Sequence, residues 1–579
     1  MSTVILGISA LYHDAAAVLL VDGVVVAAAQ EERFTRVKHD ASLPIRAAKW
    51  CLSSNNLRLS DVDYLVFYEK PLRKFERILI NAVATFPRSW KSFPRAMHVW
   101  LGDKLWVRNQ LSNTFSIPAS KILFCEHHLS HAASAFLCSP HSEAAILTLD
   151  GVGESASTTL WRGTAEPPYI HPVSEIHFPH SLGMLYSSIT AFLGFAVNEG
   201  EYKVMGMAAF GTPKYRDAME KLIQKDDQGG FSLDMSYFSF HYHPTESYSQ
   251  KLVDLLGPPR FPGTPFKPGE SEESNRWADI AASVQAVLED TILHIAKHAK
   301  QQINANAICM AGGVALNSVA NHRLALEGPF DHLWVQPAAG DAGGALGAAL
   351  WAWNCVLGNP RGAELRKIDL GRRWTPEEVT PLLEDLDQKF VRFDSKEAAA
   401  DHAAEELSKG GVIGWFEGGF EWGPRALGHR SILADPRTME MKDKVNASIK
   451  FREKFRPFAP AITEEAAADW FDIPKAAIDP ARFMLVTPAV REHRRDQIPS
   501  TTHIDGSART QVVSAQDHPH FHRVIERFGQ LTGVPVLMNT SFNLKGEAIV
   551  TSPVDAISTL LRCGLDSLYI EGHRVENQR

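Results

Sequence analysis

His127 and His131 stand four residues apart in EHHLSHAASA, a stretch of good helix formers. At that spacing both imidazoles project from one helix face, one turn apart. Nineteen residues beyond His131, Asp150 ends the apolar run 144–149 and is followed by glycine. That pattern predicts a buried strand closed by a turn. Two neutral imidazoles and a carboxylate suit a divalent ion such as iron, manganese or zinc, although HxxxH alone is more often a pair of surface histidines on an amphipathic helix. A second set of residues suits anions. Arg425 and Arg430 lie in GPRALGHRS, between Gly423 and Asp435-Pro436, a loop rather than a helix face, and KFREKFRPFAPA (450–461) and HIDGSARTQVV (503–513) carry more basic groups. Guanidinium groups bind phosphate oxygens in pairs and stay protonated at any working pH. In a third place, His13-Asp14 puts an imidazole beside a carboxylate, the makings of a general base. The plainer reading there is a turn cap. Lys38 and His39, after EERFTR, are weaker candidates to contact an acceptor or its leaving phosphate.

These groups need strands and loops to position them. Residues 4–9, 15–21 and 24–29 read as short strands, the last two joined by the hairpin dipeptide Asp22-Gly23. A related arrangement recurs about 140 residues on, where 144–149 runs into DGVGE and then STTLW as a returning strand. Two such openings predict a duplicated α/β fold of the kind built by actin, sugar kinases and Hsp70. Strands at 307–310 and 332–336 run into AGGVALNS and PAAGDAGGALG. Such glycine-rich junctions present backbone amides to a phosphate, or else permit close helix–strand packing. Two inserts interrupt this part. The basic, aromatic stretch 70–110 reads as an aperiodic insert making a homodimer contact, and 228–274 as a lid over an acceptor. A composition break at 354–375 precedes a second domain, with a helix expected at 397–408 and a strand at 412–416.

A chain of 579 residues is too long for one core. Its 45% hydrophobic and 22% charged residues are those of an ordinary globular protein. The net charge of −8 argues against a nucleic-acid partner. Six scattered cysteines form no CxxC pair, which excludes a cysteine zinc cluster and favours a reducing compartment. The apolar stretch 15–29 is broken by Asp22-Gly23, so no membrane span is expected, and neither is a leader. The expectation is a cytoplasmic protein without membrane partners.

EHHLSHAASAF, YKVMGMAAFG (202–211), AGGVALNS, GDAGGALG, GPRALGHRSILADPR and NTSFN follow one another along the chain. In this series the sequence resembles, over essentially its full length, the O-carbamoyltransferases of antibiotic and nodulation-factor biosynthesis, the NodU/CmcH group. The resemblance implies an α/β fold with a duplicated actin/Hsp70-like (Kae1-like) domain over 1–358 and an α+β YrdC-like domain over 359–579. It implies a metal, iron(II) in the family, held by His127, His131, Asp150 and Asp341, with His128 outside the set. Gly312, Gly313 and Asn317, with Lys203 and Gly206, should line an adenosine nucleotide. Lys450/Arg452 and Ser541/Asn543 match the family's Lys-x-Arg and Ser-x-Asn pairs, and Arg425, Arg456 and Arg509 look like phosphate clamps.

The implied chemistry has two steps. ATP, with Mg2+, and carbamoyl phosphate give carbamoyl-adenylate in the second domain. The first domain then passes the carbamoyl group to a hydroxyl of a small-molecule acceptor and AMP leaves, with His13, Asp14 and Lys38 as catalytic residues. A kinase or ATPase of the sugar-kinase/Hsp70 class shares the duplicated fold but needs neither the metal set nor the arginine-rich domain. A tRNA threonylcarbamoylation protein shares both domain types, and the acidic balance disfavours its RNA. Hydrogenase-maturation carbamoyltransferases carry zinc-finger cysteines that this chain lacks. A zinc protease would need glutamate where His128 stands.

Overall fold

Asp22 and Gly23 both take positive φ, 49° and 81°, as a two-residue hairpin turn requires. They join the strands Ala16–Val21 and Val24–Gln30. The sheet these strands open has the order Val24–Gln30, Ala16–Val21, Val4–Ser9, Tyr64–Phe67, Ile122–Phe124. Val4–Ser9 is antiparallel to Ala16–Val21, and the last three strands run parallel. A second five-stranded sheet has the order Ile170–His177, Ala156–Gly163, Ala144–Leu149, Ala307–Ala311, His332–Val335. Its first three strands are antiparallel and its last three parallel, so the strand scheme of the first sheet is repeated. Parallel neighbours need long crossovers, and here these carry helices.

The computed structural model describes residues 2–453 and 455–578. It divides into two units, the first made of Met1–Leu11, Ala16–Val26 and Leu43–Glu364, the second of Tyr12–Ala15, Ala27–Ser42 and Leu365–Arg579. His13, Asp14, Lys38 and His39 therefore fold with the C-terminal part of the chain. The second unit is built on an eight-stranded mixed sheet in the order Phe390–Arg392, His573–Glu576, Ser567–Ile570, Ile413–Phe416, Arg430–Ala434, Val536–Ser541, Ala459–Thr463, Gln511–Val513. Helices Lys396–Ser408 and Pro519–Thr532 contribute to one apolar cluster of this unit, and Pro553–Arg562 to another. The protein is thus a mixed α/β protein. No helix among the described residues is long and apolar enough to cross a membrane.

The insert 70–110 departs from its aperiodic reading, because it is mostly helical. Pro71 opens a helix to Ala84, where a missing N–H costs nothing, and Ser92–Gly102 forms another. Arg430 departs too. It starts a strand, is fully buried, donates to the carbonyls of Glu417, Gly418, His429 and Arg372, and lies 3.5 Å from the Phe416 ring centroid. It is a structural cation.

Candidate active sites

Helix His127–Phe136 follows the short strand Ile122–Phe124, and its first two turns carry His127 and His131. Its N-cap residue Glu126 makes no side-chain capping bond. Glu154 takes that place from a distance, accepting from the backbone N–H of His127 at 3.0 Å and from that of Lys70 at 2.7 Å. Burial pushes the Glu154 carboxyl above its usual range. Against this helix packs Asp341–Trp351, whose glycines permit the approach: a Cβ on Gly347 would sit 1.7 Å from the Ser130 carbonyl oxygen. At this junction glycine serves close helix–helix packing, and Asp341 is left at the helix's first residue.

Four donor groups meet where these helices face the turn after Ala144–Leu149. Asp150 Oδ1 accepts from the amides of Gly151 (2.8 Å) and Gly313 (3.2 Å), which aims Oδ2 at His127 Nε2 (2.8 Å) and His131 Nε2 (3.3 Å). The two imidazole Nε2 atoms are 3.1 Å apart, and Asp341 Oδ1 lies 3.8 and 3.7 Å from them. One ligand atom from each residue lies within 4.8 Å of all the others. Burial opposes charge here, yet the histidines hold the Asp150 carboxyl well below the usual carboxylate range. Against the same burial, Asp150 and Asp341 raise His131 to about 9. Both Nδ1 atoms are buried without a partner among the described residues, so every polar contact of these rings is made through Nε2. Two lone-pair nitrogens opposed at 3.1 Å between two carboxylates call for a proton or a cation. An N2O2 donor set of this kind fits a divalent transition ion. His128 points elsewhere, bonding Thr148 Oγ1 at 2.6 Å and the Ala156 carbonyl at 2.9 Å, and burial lowers it to about 3.

Gly312 adopts φ 93°, and a Cβ there would meet the Leu149 carbonyl oxygen at 2.2 Å. Only glycine lets the AGGVALNS loop pass so close to the strand that ends in Asp150. Asn317 caps helix Ser318–Glu327 by accepting from Ala320 N (3.0 Å) and exchanges hydrogen bonds with the Gln285 amide. Lys203 and Gly206 belong to helix Glu201–Ala208, which meets this loop where the Ser318 hydroxyl approaches Met205 Sδ at 3.8 Å.

In the second unit Lys450, 5% exposed, donates to the Ser541 carbonyl, Ser541 Oγ (3.3 Å), the Asn543 carbonyl (3.1 Å) and Asn543 Oδ1 (2.9 Å). The Ser541 hydroxyl donates to Asn543 Oδ1 at 2.7 Å. Lys450 is thus held by four acceptors. Burial, then the nearby guanidiniums of Arg452 and Arg456, hold its pKa well below the usual lysine range. Burial likewise lowers Arg509, beside Arg425, Arg452 and Arg456. Arg452 and Arg456 oppose the charge of both Lys450 and Arg509, and Arg425 that of Arg509, so the group forms a site that an anion would relieve. Lys442 and His503 extend this set. Burial lowers His503 to about 4, and Arg509 and Lys442 add to that. Lys442 lies outside every motif of the sequence, whereas His503 opens the block HIDGSARTQVV.

Asp14 has φ 53° and stands between two imidazoles, its Oδ2 3.0 Å from His13 Nδ1 and its Oδ1 2.7 Å from His39 Nδ1. Burial opposes its charge, yet these bonds keep the carboxyl far below the usual range, and they raise His39. Lys38 stands half-buried next to His39. An imidazole held through Nδ1 presents Nε2 to a reacting hydroxyl.

Residues 4–350 match the family described as carbamoyltransferase N-terminus, and 404–577 that described as carbamoyltransferase C-terminus. An uncharacterised protein of Synechocystis is 45% identical over 98% of this chain and 96% of its own length. Nodulation protein NolNO of Sinorhizobium fredii is 36% identical over 98% of this chain and 79% of its own. The 3'-hydroxymethylcephem-O-carbamoyltransferase of Streptomyces clavuligerus is 30% identical, covering 61% of this chain and 60% of its own.

Proposed function

The chain belongs to the carbamoyltransferase family, and from that premise we propose that it is an ATP- and carbamoyl phosphate-dependent O-carbamoyltransferase acting on a small hydroxylated acceptor. Water takes the phosphoryl group of carbamoyl phosphate, leaving carbamate and inorganic phosphate. A carbamate oxygen attacks the α-phosphorus of ATP and pyrophosphate departs, giving carbamoyl-adenylate. The acceptor hydroxyl then attacks the carbamoyl carbon, its proton passes to a base, and AMP leaves.

One observation carries this reading: the gathering of Lys450, Ser541 and Asn543 beside the cluster of Arg425, Arg452, Arg456 and Arg509. Bringing carbamate and a triphosphate together needs several fixed cations in a poorly hydrated place. Ser541 and Asn543 add neutral hydrogen bonds suited to a carbamoyl amide. For the transfer step, His13, held by Asp14, is the proton acceptor. His127, His131, Asp150 and Asp341 would hold a divalent ion, iron(II) by the family resemblance, which when bound supplies an anchor for the adenylate phosphate. Asp150, fixed by the amides of Gly151 and Gly313, keeps the two imidazoles aimed at that point. In this reading residues 1–358 are the actin/Hsp70-like, Kae1-like half and 359–579 the YrdC-like half.

Incubation with ATP, carbamoyl phosphate and a panel of hydroxylated metabolites tests the proposal. The expected product is heavier than its acceptor by about 43 daltons, one CONH group, with one AMP and one pyrophosphate formed per transfer. Production of ADP with a phosphorylated acceptor would instead establish a kinase.

A further inference from the structure

Leu72, Glu76, Ile80 and Val83 lie at i, i+4, i+8 and i+11 on helix Pro71–Ala84 and so share one face. On a surface helix that face is normally polar and the apolar one buried. Here Leu72 is 71% exposed, Ile80 63% and Val83 78%, and the next apolar side chains along the chain, Phe86 (72%) and Trp90 (63%), are exposed as well. Eight of the 25 exposed large hydrophobic side chains among the described residues fall between Leu72 and Trp106. The opposite side of this segment is firmly built. The Asn81 side chain donates to the His241 carbonyl, Ser92 Oγ to that of Tyr242 at 2.9 Å, and buried Ser89 to that of Ala82 at 2.6 Å. The exposed stripe is therefore a formed surface, not a frayed helix.

We infer that the stripe from Leu72 to Trp90 is a two-fold interface between two copies of this chain. Five side chains of this size at these exposures present on the order of 700 Å2. That exceeds the roughly 300–600 Å2 of the largest apolar patch on a typical monomer and approaches the ~800 Å2 one partner brings to a standard interface. An apolar stripe is self-complementary, so an isologous contact closes it with no second kind of patch. Phe, Trp and Arg, present here as Phe86, Trp90 and Arg88, are enriched at interface cores. On the helix itself the cations are largely taken up, which disfavours an anionic bilayer there, whereas Arg88 and Lys91 beyond its end are exposed. Arg73 and Lys70 are paired with Glu126, Lys74 with Glu69, and Glu76 stands on the stripe itself.

The inference is independent of the proposed reaction. Sedimentation equilibrium of the full chain at micromolar concentration should give twice the chain mass. Ile80→Asp/Val83→Asp should raise the dimer dissociation constant at least about 100-fold with the circular dichroism spectrum unchanged. Leu72→Ser/Phe86→Ser is the second variant should the first fail to fold. A monomeric wild-type chain, or a dimer that survives both pairs of substitutions, would overturn the inference. Flotation of a monomeric wild-type chain with phosphatidylglycerol vesicles would overturn it in favour of a lipid surface.

Discussion

On the proposed reading, Asp150 and Lys450 serve different half-reactions, and single substitutions can separate them. Asp150 divides its carboxylate between two backbone amides and two imidazoles. Asp150→Asn keeps the shape but removes the charge between the histidines and presents an amide NH2 or a neutral oxygen. The expected result is loss of bound transition ion by elemental analysis and a transfer rate lower by about 10²–10³-fold. Carbamoyl phosphate-dependent ATP–pyrophosphate exchange should persist. Lys450→Met is the mirror case, expected to lose exchange by a similar factor while keeping the metal. If Asn at 150 abolished exchange as well, the assignment of the two steps to separate residues would be wrong.

At the scale of elements, packing rather than ligand geometry sets the positions of the quartet. Asp341 reaches the histidines because Gly347 lets its helix lie against the Ser130 carbonyl. Gly347→Ala forces a methyl to within 1.7 Å of that oxygen, so the helices must part, at a cost of about 1–3 kcal/mol or more. Thermal unfolding should show a melting point several degrees lower and weaker metal retention. Gly102→Ala, with nothing within 4 Å of the new methyl, should leave both unchanged. Equal effects from the two substitutions would refute the packing account. Much of this was legible in sequence, for local reasons. A four-residue histidine spacing on helix formers, an aspartate ending an apolar run, and Asp22-Gly23 between two strands each state their geometry within a few residues. The grouping of Lys450 with Ser541 and Asn543 was legible only through a family pattern, since 91 and 93 residues separate them. Glu154 was not legible, because capping the helix at His127 depends on where the chain returns 27 residues later. The helix Pro71–Ala84 was in fact legible, since Leu72, Ile80 and Val83 recur at helical spacing whichever way that face points. The eight-stranded sheet defied prediction, its edge pairing Phe390–Arg392 with His573–Glu576 at the far end of the chain.

For the whole molecule, the proposed reaction raises the question of why both steps would belong to one polypeptide. Carbamoyl-adenylate is a mixed anhydride that water attacks, so each molecule released into solvent is a wasted ATP. The anion cluster lies in the second unit and the histidine–aspartate quartet in the first. Joining the two covalently keeps maker and user at a fixed stoichiometry and at high effective concentration. If the intermediate stays with the chain that made it, an Asp150→Asn chain and a Lys450→Met chain mixed in equal amounts cannot help each other. Product formation from the mixture should then stay below about a tenth of the wild-type rate, while the Asp150→Asn chains slowly release AMP through hydrolysis. Free exchange of the adenylate predicts the opposite, with activity of the mixture rising toward half the wild-type rate as total protein is increased. The dependence of rate on protein concentration distinguishes the two, because transfer through solution is second order in protein and retention is first order.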